Sequence, residues 1–218
     1  MPAFPERLEP DRNGRVYVGA DLQPATIIEA YRRGLFPWRG GPAIPWYCPD
    51  PRAVLPVGAI RIARSLARRA RDPDLVIAFD RDLRGAIERC ATTPRRREAT
   101  TWIAPDVIDA YAALGEPGIA HCVEVYRAGV PVGGLYGVTF GSIFHGESMY
   151  FRERDASKLA LAALARAGAA HGLSLIDCQV PTSHLERLGA ERWPRERYLA
   201  YLASDRAPSL HRSWADWG

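Results

Sequence analysis

The sequence contains a single lysine, Lys158, although 29 of its 218 residues are lysine or arginine. All the other basic residues are arginines, which is typical of a GC-rich genome that replaces lysine wherever the two are exchangeable. Lysine ends in a compact ammonium and arginine in a planar fork, so the two are not equivalent where shape matters. Lys158 therefore either has a specific role or persists by chance on an exposed helix face, and both interpretations stay open.

Cysteine is scarce as well, and the spacing of the cysteines argues against a zinc site and a disulfide framework. The four cysteines lie far apart and form no C-x-x-C pair, so neither a zinc site nor a disulfide framework is indicated. Free thiols fit a reducing cytosol.

No apolar run approaches the roughly 20 residues that a bilayer span requires, and the first residues are charged and interrupted by proline. We expect a soluble, cytoplasmic protein without a metal or a membrane segment.

Several enzyme motifs are absent. The sequence has no G-x-x-x-x-G-K-[ST], no G-x-G-x-x-G after a strand, no H-E-x-x-H and no G-x-S-x-G. Nothing therefore indicates ATP, a nicotinamide or a metal, and we expect no cofactor. A thiol nucleophile formed by Cys178 with His145 or His184 is disfavoured, because strand alternation directs Cys178 away from its polar neighbours and into the core.

The hydrophobic pattern predicts a mixed α/β protein. Hydrophobic residues make up 47% of the chain, enough for a sizeable core. Alternation predicts strands at 15–18, 75–79, 121–126, 130–138, 142–149 and 173–180. Helical periodicity predicts helices at 24–34, 61–72, 82–90, 105–114, 156–169 and 196–203. Residues 1–14 are expected to form a loosely held arm, and the Pro-, Gly- and Trp-rich stretch 34–55 a structured loop without regular elements. We place a small N-terminal domain at 1–53 and the main domain at 54–218.

The strand predicted at 173–180 is the best candidate for chemistry. Side chains two residues apart share one face of a strand, so Asp177 and Gln179 are predicted to lie side by side at the end of a hydrophobic run. An acid beside an amide can orient and stabilise a reacting polar group. The alternatives are a strand-end ion pair for Asp177 and a structural amide hydrogen bond for Gln179.

A cluster of arginines indicates a second functional surface. Five arginines precede a single acid, Asp72, and they are Arg61, Arg64, Arg68, Arg69 and Arg71. Three of them follow i, i+3, i+7 spacing and share one side of a helix. Such a density of one charge is typical of a phosphate-binding patch, and the net charge of +4 permits a nucleic-acid partner. A solvated helix face is the alternative.

Seven motifs in order resemble one family across almost the whole chain. YRRGLFPWRGG, WYCPDPRAVL, TWI, GGLYGV, FHGESMY, DASKLAL and LIDCQV are similar to the leucyl/phenylalanyl-tRNA–protein transferase family. The resemblance implies a cytoplasmic bacterial enzyme with a GNAT-like C-terminal domain behind a small N-terminal one. It implies transfer of Leu or Phe from Leu-tRNA or Phe-tRNA to proteins with an N-terminal Arg or Lys, which marks them for degradation.

The same resemblance assigns roles to individual residues. It implies that Asp177 and Gln179 are catalytic and that Trp38 and Trp102 lie near the terminal adenosine and the acceptor peptide. Glu147 is expected to pair with the charge of the acceptor, and the alternative for it is a salt bridge within the protein. An aminoacyl ester is already activated, which agrees with the missing nucleotide motif. An apolar pocket for the aminoacyl side chain is expected to be lined by Leu135, Phe144 and Leu164.

Two departures from the family pattern affect specificity. Leu135 and Leu164 stand where the family often has Met and Phe, so the preference among Leu, Phe and Met stays open.

Two other classes of protein also remain possible. An acetyl-CoA-dependent N-acyltransferase should show an R/Q-x-x-G-x-G/A loop, which RAGVPVGG does not match. A non-catalytic tRNA-binding module would leave Asp177 and Gln179 without a role. We expect the protein to be a monomer.

Overall fold

The computed structural model describes residues 3–39, 41, 43–94, 101–205 and 213–217. The described strands are β1 (Arg15–Val18), β2 (Phe36–Pro37), β3 (Pro45–Tyr47), β4 (Arg52–Pro56), β5 (Leu75–Phe79), β6 (Ala120–Arg127), β7 (Val130–Phe140), β8 (Ile143–Phe151), β9 (Leu175–Gln179) and β10 (Glu191–Trp193). The described α-helices are α1 (Pro24–Arg32), α2 (Arg64–Arg69), α3 (Leu83–Thr92), α4 (Pro105–Ala113), α5 (Ala156–Ala170), α6 (Ser183–Arg187) and α7 (Arg195–Ser204).

The helix ends follow local chemistry that is visible in the sequence. Pro24 and Pro105 open α1 and α4 in the first turn, where a missing backbone N–H costs nothing. The Asp82 side chain caps α3 by accepting a hydrogen bond from the Gly85 amide at 3.0 Å. After α1 the chain turns at Gly34, whose φ of +75° favours glycine. These signals explain why the predicted helices are confirmed to within a few residues.

The N-terminal segment forms a small sheet of its own, with strand order β1-β3-β2. The Trp46 indole donates to the Gly19 carbonyl at 2.9 Å, and Phe4 packs edge-on against Trp46 with ring centroids 4.9 Å apart. Phe4 is buried, so the N-terminal arm is anchored and the prediction of a loose arm is wrong. The prediction that residues 34–55 lack regular elements is also wrong, because β2, β3 and the start of β4 lie there.

The larger sheet has the strand order β10-β4-β9-β8-β7-β6-β5 and is antiparallel except between β8 and β9. Adjacent residues of β7 point to opposite faces. Leu135 lies in one buried cluster with Leu159 of α5, whereas Tyr136 lies in another with Ile87 of α3 and Val107 of α4. Helices therefore cover both faces, and the predicted mixed α/β fold is confirmed.

The sheet opens between its two parallel strands. β8 and β9 pair at Ile143 with Leu175, at Phe144 with Ile176 and at His145 with Asp177. Beyond this point β8 continues to Phe151, while β9 ends two residues later. The two strands separate beyond His145 and Asp177, and the gap between them widens toward their C-terminal ends.

A bulge redirects the end of β9. In the pairing with β4, Ala53 lies opposite Gln179 and Val54 opposite Asp177, so Cys178 is the extra residue. Gln179 has a φ of +63°, which is costly for a residue with a side chain. The bulge therefore interrupts the regular strand pairing at the last residues of β9.

We propose the division between residues 1–53 and 54–218 as the domain boundary. β4 crosses this division and brings Arg52 into the larger sheet, next to β9. The two parts thus share a strand as well as a core.

Candidate active site

An ion pair between Arg52 and Asp177 lies at the centre of the site. Arg52 Nε donates to Asp177 Oδ1 at 2.8 Å, and Arg52 Nη2 donates to Asp177 Oδ2 at 2.6 Å. Both side chains are fully buried. The guanidinium also lies over the rings of Phe36 and Tyr198, 4.9 and 4.5 Å from their centroids. Such a bidentate, enclosed pair fixes the geometry of both partners.

Three further groups complete the hydrogen bonding of Asp177. The Tyr198 hydroxyl donates to Asp177 Oδ2 at 3.0 Å, and His145 Nδ1 lies 2.9 Å from the same oxygen. The backbone amide of Gln179 donates to Asp177 Oδ1 at 2.9 Å. Burial raises the pKa of Asp177, but the charge and hydrogen bonds of Arg52 outweigh it and hold that pKa well below its usual range. The carboxylate is fully buried and exposes no surface to solvent.

A second carboxyl lies across the opening of the sheet. The Gln179 side-chain amide donates to Glu147 Oε1 at 2.7 Å, which joins β9 to β8 where the strands have separated. The Tyr111 hydroxyl lies 3.4 Å from Glu147 Oε2 and 2.6 Å from the Tyr31 hydroxyl. Only 8% of Glu147 is exposed, and burial raises its pKa to about 8. Glu147 therefore changes charge close to neutral pH.

An apolar cavity of about 260 Å³ adjoins this bridge. Leu135 and Phe144 line it, as predicted from the family resemblance, together with Leu161 and Ile176. Leu164 lies one helical turn beyond Leu161 and is fully buried in the core, outside the lining. The helix thus presents a different leucine to the cavity than the resemblance implied.

Cys178, which is predicted to fill the core, packs against the buried cluster that contains Leu135 and also lines this cavity. Burial raises the pKa of its thiol well above the usual range, with a further contribution from the charge of Asp177. The thiol stays protonated near neutral pH, which disfavours a nucleophilic role.

The two predicted tryptophans meet in a neighbouring cavity of about 220 Å³. Trp38 and Trp102 line it, and it shares Glu147 and Gln179 with the apolar cavity. Trp38 is 39% exposed, whereas Trp102 is only 8% exposed and packs in the core. The Glu147–Gln179 bridge therefore separates an aromatic cavity from an apolar one.

The predicted arginine patch lies apart from these cavities. Arg64 and Arg68 are exposed on α2, Arg71 follows the helix, and Arg61 precedes it, so the helical-face argument does not apply to Arg61. Arg69 is half-buried because its Nη2 pairs with Glu153 Oε2 at 2.5 Å. The structure thus presents four of the five arginines to solvent.

Most of the buried polar partners in the site carry no recognisable signal in the sequence. Arg52, His145 and Tyr198 surround Asp177, while Tyr31 and Tyr111 lie behind Glu147. Arg52 is in the quoted motif WYCPDPRAVL, but nothing in the sequence distinguishes it from the other arginines. Its partner is 125 residues away, so only the fold brings them together.

Within the described ranges, no group of three or more His, Cys, Asp or Glu side chains is placed to hold a metal ion. None of the helices in that part of the chain is long and apolar enough to cross a membrane.

The site lies in a mixed α/β fold whose split sheet places a carboxyl and an amide beside an apolar cavity. The family model described as leucyl/phenylalanyl-tRNA protein transferase matches residues 54–203, and the model of its N-terminal domain matches residues 20–50. The chain belongs to the leucyl/phenylalanyl-tRNA–protein transferase family and is an aminoacyltransferase.

Relatives of this family match over three quarters or more of their length. A leucyl/phenylalanyl-tRNA–protein transferase from Myxococcus xanthus is 41% identical over 215 residues, which cover 98% of this chain and 92% of the relative. One from Burkholderia multivorans is 44% identical over 194 residues, covering 87% of this chain and 76% of the relative. A solved GCN5-related N-acetyltransferase from Kribbella flavida has a TM-score of 0.42 at 16% identity, covering 78% of this chain and 61% of that one.

Proposed function

We propose that this enzyme transfers Leu or Phe from Leu-tRNA or Phe-tRNA to the N-terminal Arg or Lys of acceptor proteins, and so marks them for degradation. These substrates place the reaction in the cytoplasm. The main support is the Glu147–Gln179 bridge, because it puts a buried carboxyl between an apolar cavity and an aromatic one. An aminoacyl side chain, a nucleobase and a cationic acceptor need those three environments.

The apolar cavity is suited to the aminoacyl side chain. Leu135, Phe144, Leu161 and Ile176 offer hydrophobic contact to the side chain of Leu or Phe. The ester that joins the amino acid to tRNA is already activated, so attack by an amine exchanges ester for amide without ATP. The protein then needs to orient the amine and the carbonyl and to stabilise the charge that develops.

Gln179 is the group best placed to contact the reacting atoms. Its side chain lines both cavities, and its conformation is held by the hydrogen bond from its backbone amide to Asp177. In this proposal Asp177 positions Gln179, and Gln179 orients the attacking amine. Glu147 pairs with the side-chain charge of the acceptor.

A transfer assay tests the proposed function directly. The protein is incubated with Leu-tRNA carrying labelled leucine and with peptides that differ only in an N-terminal Arg or Ala. Label should appear in the Arg peptide and not in the Ala peptide. Binding of tRNA without transfer would support a tRNA-binding module instead. Labelling of the peptide from labelled acetyl-CoA, supplied in place of Leu-tRNA, would support an N-acetyltransferase.

The two tryptophans should respond differently to truncation. Trp38→Ala should lower kcat/KM for transfer with little change in Tm, because Trp38 is partly exposed and base stacking contributes about 1–3 kcal/mol. Trp102→Ala should cost about 3–5 kcal/mol of stability as well, since Trp102 is part of the core. Trp38→Phe keeps an aromatic face and is the matched control. Wild-type kcat/KM in Trp38→Ala would exclude Trp38 from substrate binding.

The arginine patch should contribute to tRNA affinity through phosphate contacts. The triple variant Arg64→Ala, Arg68→Ala and Arg71→Ala should bind tRNA more weakly, and its affinity should depend less steeply on salt. A control variant removes three exposed arginines of the N-terminal segment, Arg7, Arg12 and Arg32, and so matches the loss of charge. Titration of tRNA at several salt concentrations measures both effects. Equal weakening in the two variants would mean that only net charge matters.

A further inference from the structure

A third cavity of about 590 Å³ lies where β8 turns into α5. Its lining includes Phe151, Arg152, Arg154, Asp155 and Lys158, and we call these five residues the basic groove. The groove contains the only lysine of the chain. None of these residues has a part in the site described above.

Positive charge in the basic groove exceeds what its own acid can neutralise. Arg152 is exposed and forms no ion pair with any residue that the structure describes. Arg154 and Lys158 share one carboxylate, Asp155, at 3.5 and 2.6 Å. Three cations therefore face one anion. Such an excess favours a ligand that carries negative charge.

The neighbouring groups do not remove this excess. Glu153 is already paired with Arg69 at 2.5 Å and with Arg127 at 3.0 Å. Burial and the nearby charge of Lys158 lower the pKa of His184, so its imidazole is neutral near neutral pH. The charge of the groove thus depends on its arginines and its lysine.

The basic groove connects two sites that the proposed function uses. On one side, the Arg69–Glu153 pair joins α2 and its arginine patch to the turn that forms the groove. On the other side, Met149 and His184 line both the groove and the apolar cavity. The basic groove therefore lies between the arginine patch of α2 and the apolar cavity, where a chain of phosphates that contacts α2 could pass toward the cavity.

Phe151 adds an aromatic surface to this path. It is 60% exposed at the end of β8, an unusual exposure for such a large apolar side chain. Single-stranded nucleic acids bind where cations contact the backbone and aromatic faces stack on the bases. An exposed phenylalanine in the same lining as Arg152 and Arg154 offers both kinds of contact.

We infer that the basic groove binds the phosphodiester backbone of the single-stranded 3′ end of aminoacyl-tRNA and guides its aminoacyl group into the apolar cavity. This inference rests on the proposed function. It gives Lys158 a role as a phosphate contact next to the entrance of the cavity, and it sets the side from which the tRNA end approaches.

Two measurements separate this inference from the proposed function. The first is equilibrium binding of a fluorescent CCA trinucleotide, which involves no transfer. The second is transfer from leucyl-CCA, which has two phosphodiesters, compared with transfer from 3′-leucyl-adenosine, which has none. The test variant is Arg152→Gln with Lys158→Gln. Arg166→Gln is the control, because it removes an exposed arginine about two turns further along α5.

The double variant should bind the trinucleotide about tenfold more weakly, and each lost contact should reduce the salt slope by about 0.7. Its kcat/KM for leucyl-CCA should fall about tenfold, whereas its kcat/KM for leucyl-adenosine should change less than twofold. Lys158→Arg keeps the charge and should retain the salt slope. Arg166→Gln should behave like the wild type.

Unchanged trinucleotide affinity and salt slope in the double variant would overturn the inference, whether or not transfer occurs. A higher KM for an acceptor peptide with acidic residues, together with unchanged RNA binding, would assign the groove to the acceptor protein. Absence of transfer by the wild type would contradict the proposed function, and the trinucleotide titration would still decide the role of the groove.

Discussion

Asp177→Asn is expected to destabilise the protein by about 3–5 kcal/mol and to reduce kcat strongly. The physical reason is that the fully buried Arg52 guanidinium would lose its anionic partner, and an uncompensated buried charge is costly. The same change weakens the hydrogen bond that the backbone amide of Gln179 donates to Asp177 Oδ1. Urea unfolding and single-turnover transfer with saturating Leu-tRNA measure the two effects. A variant with wild-type stability and kcat would contradict this account of Asp177.

A double variant distinguishes lost stability from lost positioning. Arg52→Met with Asp177→Leu removes both charges, and replacing a buried pair by apolar groups is often nearly neutral for stability. Stability should therefore recover in part, but transfer should remain slow because the Gln179 amide and His145 have lost their acceptor. Recovery of both stability and kcat would mean that Asp177 serves the fold alone.

The stability contributed by Asp177 should also depend on pH in a defined direction. Its folded pKa is held below the unfolded value of about 4, so the contribution is present above that pH and is lost as the pH falls toward the folded pKa. The stability difference between wild type and Asp177→Asn should accordingly shrink in acid. Unfolding curves recorded at successively lower pH provide the measurement.

Glu147→Gln is expected to raise the KM for an Arg-peptide by at least tenfold and to leave Leu-tRNA binding nearly unchanged. Charge-assisted hydrogen bonds are about twice as strong as neutral ones, and glutamine removes the charge that the acceptor would meet. The amide keeps the shape of the side chain and can still accept from Gln179. Glu147→Asp, which keeps the charge and shortens the side chain, serves as the control. An unchanged peptide KM in Glu147→Gln would assign this carboxyl to structure.

The pKa of about 8 gives this prediction a pH signature. A peptide with Nα-acetylated N-terminal Arg keeps its guanidinium but has no titrating amine, so it serves as a competitive inhibitor. Its affinity should rise as Glu147 ionises toward about pH 8 and then level off, and Glu147→Gln should abolish that rise. A flat profile with the wild type, combined with loss of kcat in the variant, would favour proton transfer from the amine over side-chain recognition.

The raised pKa of Glu147 also implies a cost in stability. The folded state keeps this proton while the unfolded chain releases it, so stability falls as the pH rises from about 4 to about 8. Glu147→Gln does not titrate and should be more stable than the wild type at about pH 8, by on the order of 1–3 kcal/mol. Thermal unfolding at two pH values tests the sign. A functional carboxyl that destabilises its own fold is expected where charge is kept for a ligand.

Local features of the sequence are sufficient to predict most of the helices and strands and to identify several site residues. Alternating hydrophobic residues identified β5 at Leu75–Phe79 without error, and Pro24 and Pro105 marked two helix starts, because these signals depend on neighbours a few residues away. The ordered motifs identified the family and the candidates Glu147 and Gln179. The short strands of segment 34–55 escaped detection because their pairing partners, and not their composition, make them strands.

The arrangement of the site was decided by tertiary structure alone. A bulge opposite β4 and a positive φ at Gln179 end β9, where Gln179 lines the cavities and Asp177 is fully buried. Arg52 meets Asp177 from 125 residues away, and its charge and hydrogen bonds hold the pKa of that carboxyl low despite burial, whereas burial raises the pKa of Glu147. The sequence specifies which groups are available. Their charge and exposure depend on long-range packing, because desolvation and nearby charges are set by the folded surroundings.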